Sequence, residues 1–231
     1  MNRLLPIIKH LLIGLMLIFL FDGCALYDEF FGKSPDEKPP EELLSEGMRK
    51  LEKGRYEAAT EDFQAIKDRY PYSRHAITAE LKIADSHYKI NEFGAAFDAY
   101  DEFEKLHPRD KNIPYVIYQK GMCHFRQVTS IDRDQSYTLK AREEFERLVK
   151  RFPKDEYAKS ARVNIRKSLI YLAEYELYVG HYYFKMGKYR PAMGRYMYLI
   201  KNYPDMGQYH EALEYMSKCK EKLAEEEMQP K

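Results

Sequence analysis

Four segments of this 231-residue chain carry the same residue types at the same offsets: an alanine, an aromatic at +4, an apolar residue at +7 and a proline at +12. The sets are Ala59, Phe63, Ile66 and Pro71; Ala96, Tyr100, Phe103 and Pro108; Ala141, Phe145, Leu148 and Pro153; and Ala192, Tyr196, Leu199 and Pro204. Offsets of 4 and 7 share one face of an α-helix, where the alanine admits a neighbouring helix and the aromatic fills the hole beside it. Proline lacks an N–H and disfavours helical geometry in its predecessor, so each such helix stops at Tyr70, His107, Phe152 or Tyr203. Upstream, Gly47, Ala84, Gly121 and Gly180 mark a preceding helix. Gly54-Arg55-Tyr56, Asn91-Glu92-Phe93 and Gly187-Lys188-Tyr189 supply the turn between the two helices in units one, two and four.

This order resembles the tetratricopeptide repeat, a helical hairpin of about 34 residues that stacks into a superhelix. The resemblance covers about residues 41 to 204. It implies an all-α, right-handed superhelix of about five hairpins, the fifth begun by a helical stretch from Gln208 to about Ala224. Three acids from Glu225 to Glu227 sit where a helix end is already partially negative, which predicts fraying there. The stop prolines stand 37, 45 and 51 residues apart, so material has been inserted. Val128 to Thr138 lengthens the third unit, and residues 155 to 186 read as one long helix in which Tyr171, Tyr175, Tyr178 and Tyr182 form a packing face.

The N-terminus reads as an address. Arg3, Lys9 and His10 precede an apolar run from Leu11 to Phe21, too short to span a hydrocarbon layer of about 30 Å and suited to a signal peptide. Gly23-Cys24 resembles the lipobox at which bacterial lipoproteins are acylated and cleaved, although Phe21 and Asp22 depart from its usual residues. Ala25 after the cysteine then favours outer-membrane sorting. Cleavage removes Arg3, Lys9 and Asp22 and leaves a neutral mature chain, which acyl chains on Cys24 tether without help from a basic patch. The predicted organisation is a signal peptide over 1–23, a lipid-anchored linker over 24–40, N-terminal repeats (units one to three) over 41–153, and C-terminal repeats (units four and five) over 154–231.

A formal charge of +1 gives no global field for nucleic acid. No His-Glu-x-x-His, phosphate-binding glycine loop or Gly-x-Ser-x-Gly occurs, so a non-enzyme without cofactor or metal is expected. His87 and His124 occupy matching positions of consecutive first helices, a position that is ordinarily core. Cys123 and Cys219 lie in distant units and read as buried small hydrophobes. Residues 138–167 hold ten Lys or Arg against five acids, which suits an acidic partner, lipid headgroups or simply a solvated face.

First helices of such repeats line a concave surface. Here they present Leu44, Met48 and Leu51, then Leu81, Asp85 and Tyr88, then Tyr118, Met122 and Phe125, an apolar trough suited to an extended or helical peptide.

The lipobox, the repeats, the insertion containing Asp132-Arg133-Asp134-Gln135 and the long helix running through Tyr175-Glu176-Leu177-Tyr178-Val179-Gly180-His181-Tyr182-Tyr183 together resemble the BamD family of outer-membrane β-barrel assembly lipoproteins. The resemblance implies a non-catalytic scaffold whose N-terminal units bind unfolded outer membrane proteins. Its C-terminal units would dock on the periplasmic domains of the central barrel subunit, BamA, with other assembly lipoproteins as further partners. Matched to the family pattern, Arg195 becomes the candidate docking contact and Tyr70 a precursor contact. Other periplasmic repeat lipoproteins, such as secretin pilotins or cell-wall-associated competence proteins, share the repeats and form the alternative.

Overall fold

The computed structural model describes residues 38–228, so the signal segment, Cys24 and the linker to residue 37 lie outside the described residues. Nine α-helices and no strand occur among the described residues. They are α1 (Pro40–Glu52), α2 (Tyr56–Arg69), α3 (Ala76–Lys89), α4 (Phe93–Leu106), α5 (Ile113–Phe125), α6 (Ser136–Arg151), α7 (Glu156–Lys185), α8 (Tyr189–Asn202) and α9 (Tyr209–Met228). Each helix packs chiefly on its neighbours in sequence, and α5 also meets α7, the pattern of a stacked tetratricopeptide array.

The four prolines end their helices identically. Tyr70, His107, Phe152 and Tyr203 have φ/ψ of −129/51, −125/56, −132/61 and −135/51. Each still donates its N–H to the carbonyl four residues back, at 2.8–2.9 Å. A ψ of 51–61° takes each residue out of the helical region, which a following proline disfavours.

Turns within the hairpins are equally uniform. Gly54, Asn91 and Gly187 take φ of 71°, 64° and 69°. The residue after each donates to a carbonyl five positions back (Arg55 to Lys50, Glu92 to His87, Lys188 to Tyr183), closing a left-handed helix cap. The third unit instead has the loop from Arg126 to Gln135. Gln135 is buried there and donates to the carbonyl of Arg133 at 3.0 Å, while Thr138 Oγ1 donates to Gln135 Oε1 at 2.8 Å. The inserted loop is therefore closed by its own polar groups.

All twelve repeat residues that precede the prolines are at most 1% exposed. Their packing explains the upstream glycines: a Cβ on Gly47, Gly121 or Gly180 would stand 2.5 Å from the ring of Phe63, Phe145 or Tyr196. The aromatic of the second helix lies directly on the backbone of the first.

α7 opens on Asp155, whose carboxylate accepts from the Tyr157 N–H at 2.8 Å, and runs for 30 residues. Ala158, Ala161 and Ile165 join the core formed with α3 to α6, whereas Leu172 and Ala173 join the core of α8 and α9. One helix thus serves both halves of the array. Tyr171 stacks on Phe125, but Tyr178 and Tyr182 are 43% and 53% exposed, so the tyrosine stripe is a packing face only in its first part. α9 begins the fifth hairpin and stays helical to Met228 rather than fraying at the acids, with Glu225 paired to Lys222 and Glu227 within 3.6 Å of Arg190.

Candidate functional site

The first helices α1, α3 and α5 border a groove of about 410 Å³ lined by Leu51, Tyr56, Asp85, Tyr88, Tyr100 and Gln119 among others. Its centre is Asp85. Tyr100 and Tyr115 both donate their hydroxyls to Asp85 Oδ1 at 2.7 Å, and Lys82 Nζ lies 2.8 Å from Oδ2. Gln119 in turn donates to the Tyr115 hydroxyl at 2.9 Å. Burial, then the Asp85 charge, pushes both phenols well above their ordinary range, so they remain donors at any physiological pH.

The groove floor is therefore more polar than the apolar trough expected from the first-helix residues. Where the other units place a glycine against the aromatic ring, the second has Ala84, and its Tyr100 reaches past to Asp85. Lys82, Tyr115 and Gln119 escaped the sequence reading. Tyr115 and Gln119 are one turn apart on α5, but their meeting with Asp85 depends on the stacking of two units.

Leu44, Met48 and Leu51 are half-buried against the first core, and Tyr70 joins them while donating its hydroxyl to the carbonyl of Lys38 at 3.1 Å. Leu81 is buried, and Tyr88 packs edge-on against Phe93. Tyr118, Met122 and Phe125 are half-buried and meet α7: Asn164 Nδ2 lies 3.4 Å from the Tyr118 hydroxyl and from Met122 Sδ, and Phe125 faces Tyr171. The long helix therefore packs over the third unit's part of the first-helix surface.

Arg195 stands on α8 and reaches back to α7, where Nη1 donates to both carboxylate oxygens of Glu176 at 3.0 and 3.3 Å. Glu176 is 11% exposed at its side chain and Arg195 41%. One guanidinium nitrogen is thus engaged; Nε and Nη2 donate to no group among the described residues. The Glu176 bond raises the Arg195 pKa further, so the charge is permanent. Such an arrangement fixes the head of an arginine while leaving an edge for a second carboxylate.

The two histidines at matching positions of α3 and α5 stay apart in role. His87 Nδ1 lies 2.7 Å from Glu92, and His124 packs on Phe97, its pKa lowered by burial and then by Lys140. Cys123 and Cys219 are free and fully buried. Among the described residues, no group of three or more His, Cys, Asp or Glu could hold a metal ion.

Nine helices among the described residues, stacked as consecutive hairpins with a groove along the first helices, define a protein of the tetratricopeptide-repeat class. The chain belongs to the YfiO family of outer membrane lipoproteins, whose model matches residues 36–231. It is 27% identical over 223 residues to the outer membrane protein assembly factor BamD of Vibrio cholerae, covering 91% of this chain and 90% of that one. It is also 32% identical to the BamD of Caulobacter vibrioides over 56% of this chain and 43% of the relative. Neisseria meningitidis BamD is 31% identical, over 59% of this chain and 55% of that one. The chain therefore aligns with about half the length of the last two.

Proposed function

We propose that this chain is a non-catalytic, lipid-anchored subunit of the machinery that folds and inserts β-barrel proteins into the outer membrane, held at its periplasmic face through Cys24. The observation that carries the reading is the family match along nearly the whole mature chain, with relatives named as outer membrane protein assembly factors. The N-terminal units hold unfolded precursors. Barrel strands alternate apolar and polar side chains, and a groove that joins Leu51, Tyr56 and Tyr88 to the Asp85–Lys82 pair offers both kinds of contact. Tyr70, on the same first unit, is the further precursor contact. The C-terminal units dock on the periplasmic domains of BamA through the open edge of Arg195. Anchoring at the membrane makes each encounter local and raises the effective concentration of partner.

Capture of the tagged full-length chain from detergent-extracted envelopes tests this. The central barrel subunit is expected to be recovered with it, less so from Arg195→Glu. Recovery of a secretin in its place would assign the chain to a different assembly.

A further inference from the structure

α7 is longer than a hairpin requires, and its first turns carry a face that no helix among the described residues covers. One side of those turns packs into the core of the second and third units through Ala158, Ala161 and Ile165. The helices α8 and α9 reach α7 only further along, through Leu169, Leu172, Ala173 and Leu177. Before that point the outward side shows Lys159, Arg162, Val163, Arg166 and Lys167, all exposed. Their spacing puts them in one stripe about 12 Å long, at about 1.5 Å of rise per residue.

On α6 beside it, three arginines have acidic partners: Arg142, Arg147 and Arg151. Arg142 lies 3.3 Å from Glu146, and Arg147 binds Glu104 and Glu144 at 2.6 Å each. On the stripe, Arg162 donates to the carbonyl of Pro153 at 2.8 Å. Lys159, Arg166 and Lys167 make no hydrogen bond or ion pair among the described residues. Nearby, Lys150 and Lys154 add positive charge from the end of α6 and the turn after it, while Glu156 lies about one turn before the stripe and Glu174 about two turns after it. Like charges three and four apart, such as Lys159 with Arg162 and Arg162 with Arg166, repel one another. At the centre of this repulsion Val163 is 55% exposed.

We infer that this face of α7 is a docking surface for an acidic helical segment of another protein, whose carboxylates three or four residues apart engage Arg162 and Arg166 while an apolar side chain covers Val163. The mature chain is neutral, so the local excess is not part of a global field. Two arginines suit carboxylate oxygens, which they bind through paired hydrogen bonds. A lipid surface is met instead by amphipathic faces that insert aromatics among lysines. The aromatics flanking the stripe are turned to packing: Tyr157 lays its ring against Tyr115 and Tyr118, and Tyr171 stacks on Phe125. The inference stands apart from the assignment of the complex, because the charge pattern is the same whichever assembly the chain joins.

The test places a photoreactive phenylalanine at position 163 of the full-length lipidated chain in native membranes and identifies the crosslinked species by mass spectrometry. The expected product is a peptide with at least two Asp or Glu at helical spacing. Its yield should fall about tenfold in Lys159→Glu/Arg166→Glu, a change of the size expected for reversing two interface charges. Both positions are exposed, so the thermal midpoint of that variant should match the parent, which separates lost docking from lost folding. A crosslink to phospholipid would assign the stripe to the membrane. That result, a peptide without acidic spacing, a yield indifferent to charge reversal, or no product at all would each overturn the inference.

Discussion

At the scale of single residues, the architecture depends on how close an aromatic ring comes to a backbone. Gly121 and Phe145 meet so tightly that the methyl of an alanine would have to displace a ring that is itself fully buried. Gly121→Ala should therefore destabilise the fold by about 1–3 kcal/mol, the usual cost of overpacking. Gly194 lies within α8 with nothing within 4 Å of an added Cβ, so Gly194→Ala should stabilise by about 0.5–1 kcal/mol through helix propensity alone. Chemical denaturation of the two variants decides the matter, and equal effects would contradict the packing account. Cys123 offers a second check. Burial pushes its thiol up to about 12 and Cys219 also upward, so at pH 8 neither forms much thiolate. A thiol-specific reagent should label neither until denaturant is added; rapid labelling of the folded protein would mean that this core opens readily.

These residue-level features were unequally legible in the sequence. The glycine upstream of each aromatic could be read because it recurs in three units, and repetition converts a side-chain detail into a spacing rule. The Asp85 centre could not, because Tyr100 and Tyr115 lie 15 and 30 residues away and converge only through side-chain conformations that no period encodes. Arg195 was singled out from the family pattern, whereas its bond to Glu176 depends on the angle between α7 and α8.

At the scale of helices, the junction of α4, α5 and α6 is an ionic one. Lys120 of α5 is 4% exposed, with Asp101 and Glu104 of α4 and Glu144 of α6 around its ammonium group. Arg147 and Arg151 hold Glu104 from the other side. Each acid keeps a second cation when Lys120 is removed (Lys105 for Asp101, Arg147 and Arg151 for Glu104, Arg147 for Glu144), so Lys120→Met should cost about 1.5–3 kcal/mol, the range for hydrogen bonds lost by charged groups. The acids give the junction a pH dependence. Burial raises Glu104, but its bonds to Arg147 and the charges of Arg147 and Lys120 outweigh that and hold it below its usual 4.5; Asp101 likewise ends below 3.8. Groups depressed in the folded state contribute stability above their unfolded pKa and lose it as pH falls through the folded value. The unfolding free energy should accordingly decline below about pH 4.5, and less steeply in Glu104→Gln. Identical acid slopes would remove the cluster from the account. Element boundaries were largely readable because proline and glycine fix backbone angles locally. The helical course of α9 through Glu225 to Glu227 was not, since pairing with Lys222 and Arg190 offsets the unfavourable end charge.

At the scale of the whole molecule, the array acts as a rod that presents separate faces along its length. The Asp85 groove lies among the first three units, the basic stripe on the shared helix α7, and Arg195 on the fourth unit. Because α7 contributes to the cores on both sides, a partner gripping one face bears on a helix that the other half also uses. The number and order of hairpins could be read from the repeat, but the polarity of the groove and the cover that α7 lays over Tyr118, Met122 and Phe125 are products of stacking. In the function proposed above, the fourth unit docks this scaffold on the barrel-assembly subunit. That docking is tested most directly by photocrosslinking from position 195 in living cells: the account predicts a product with the periplasmic region of that subunit, and crosslinks only to unrelated proteins would contradict it.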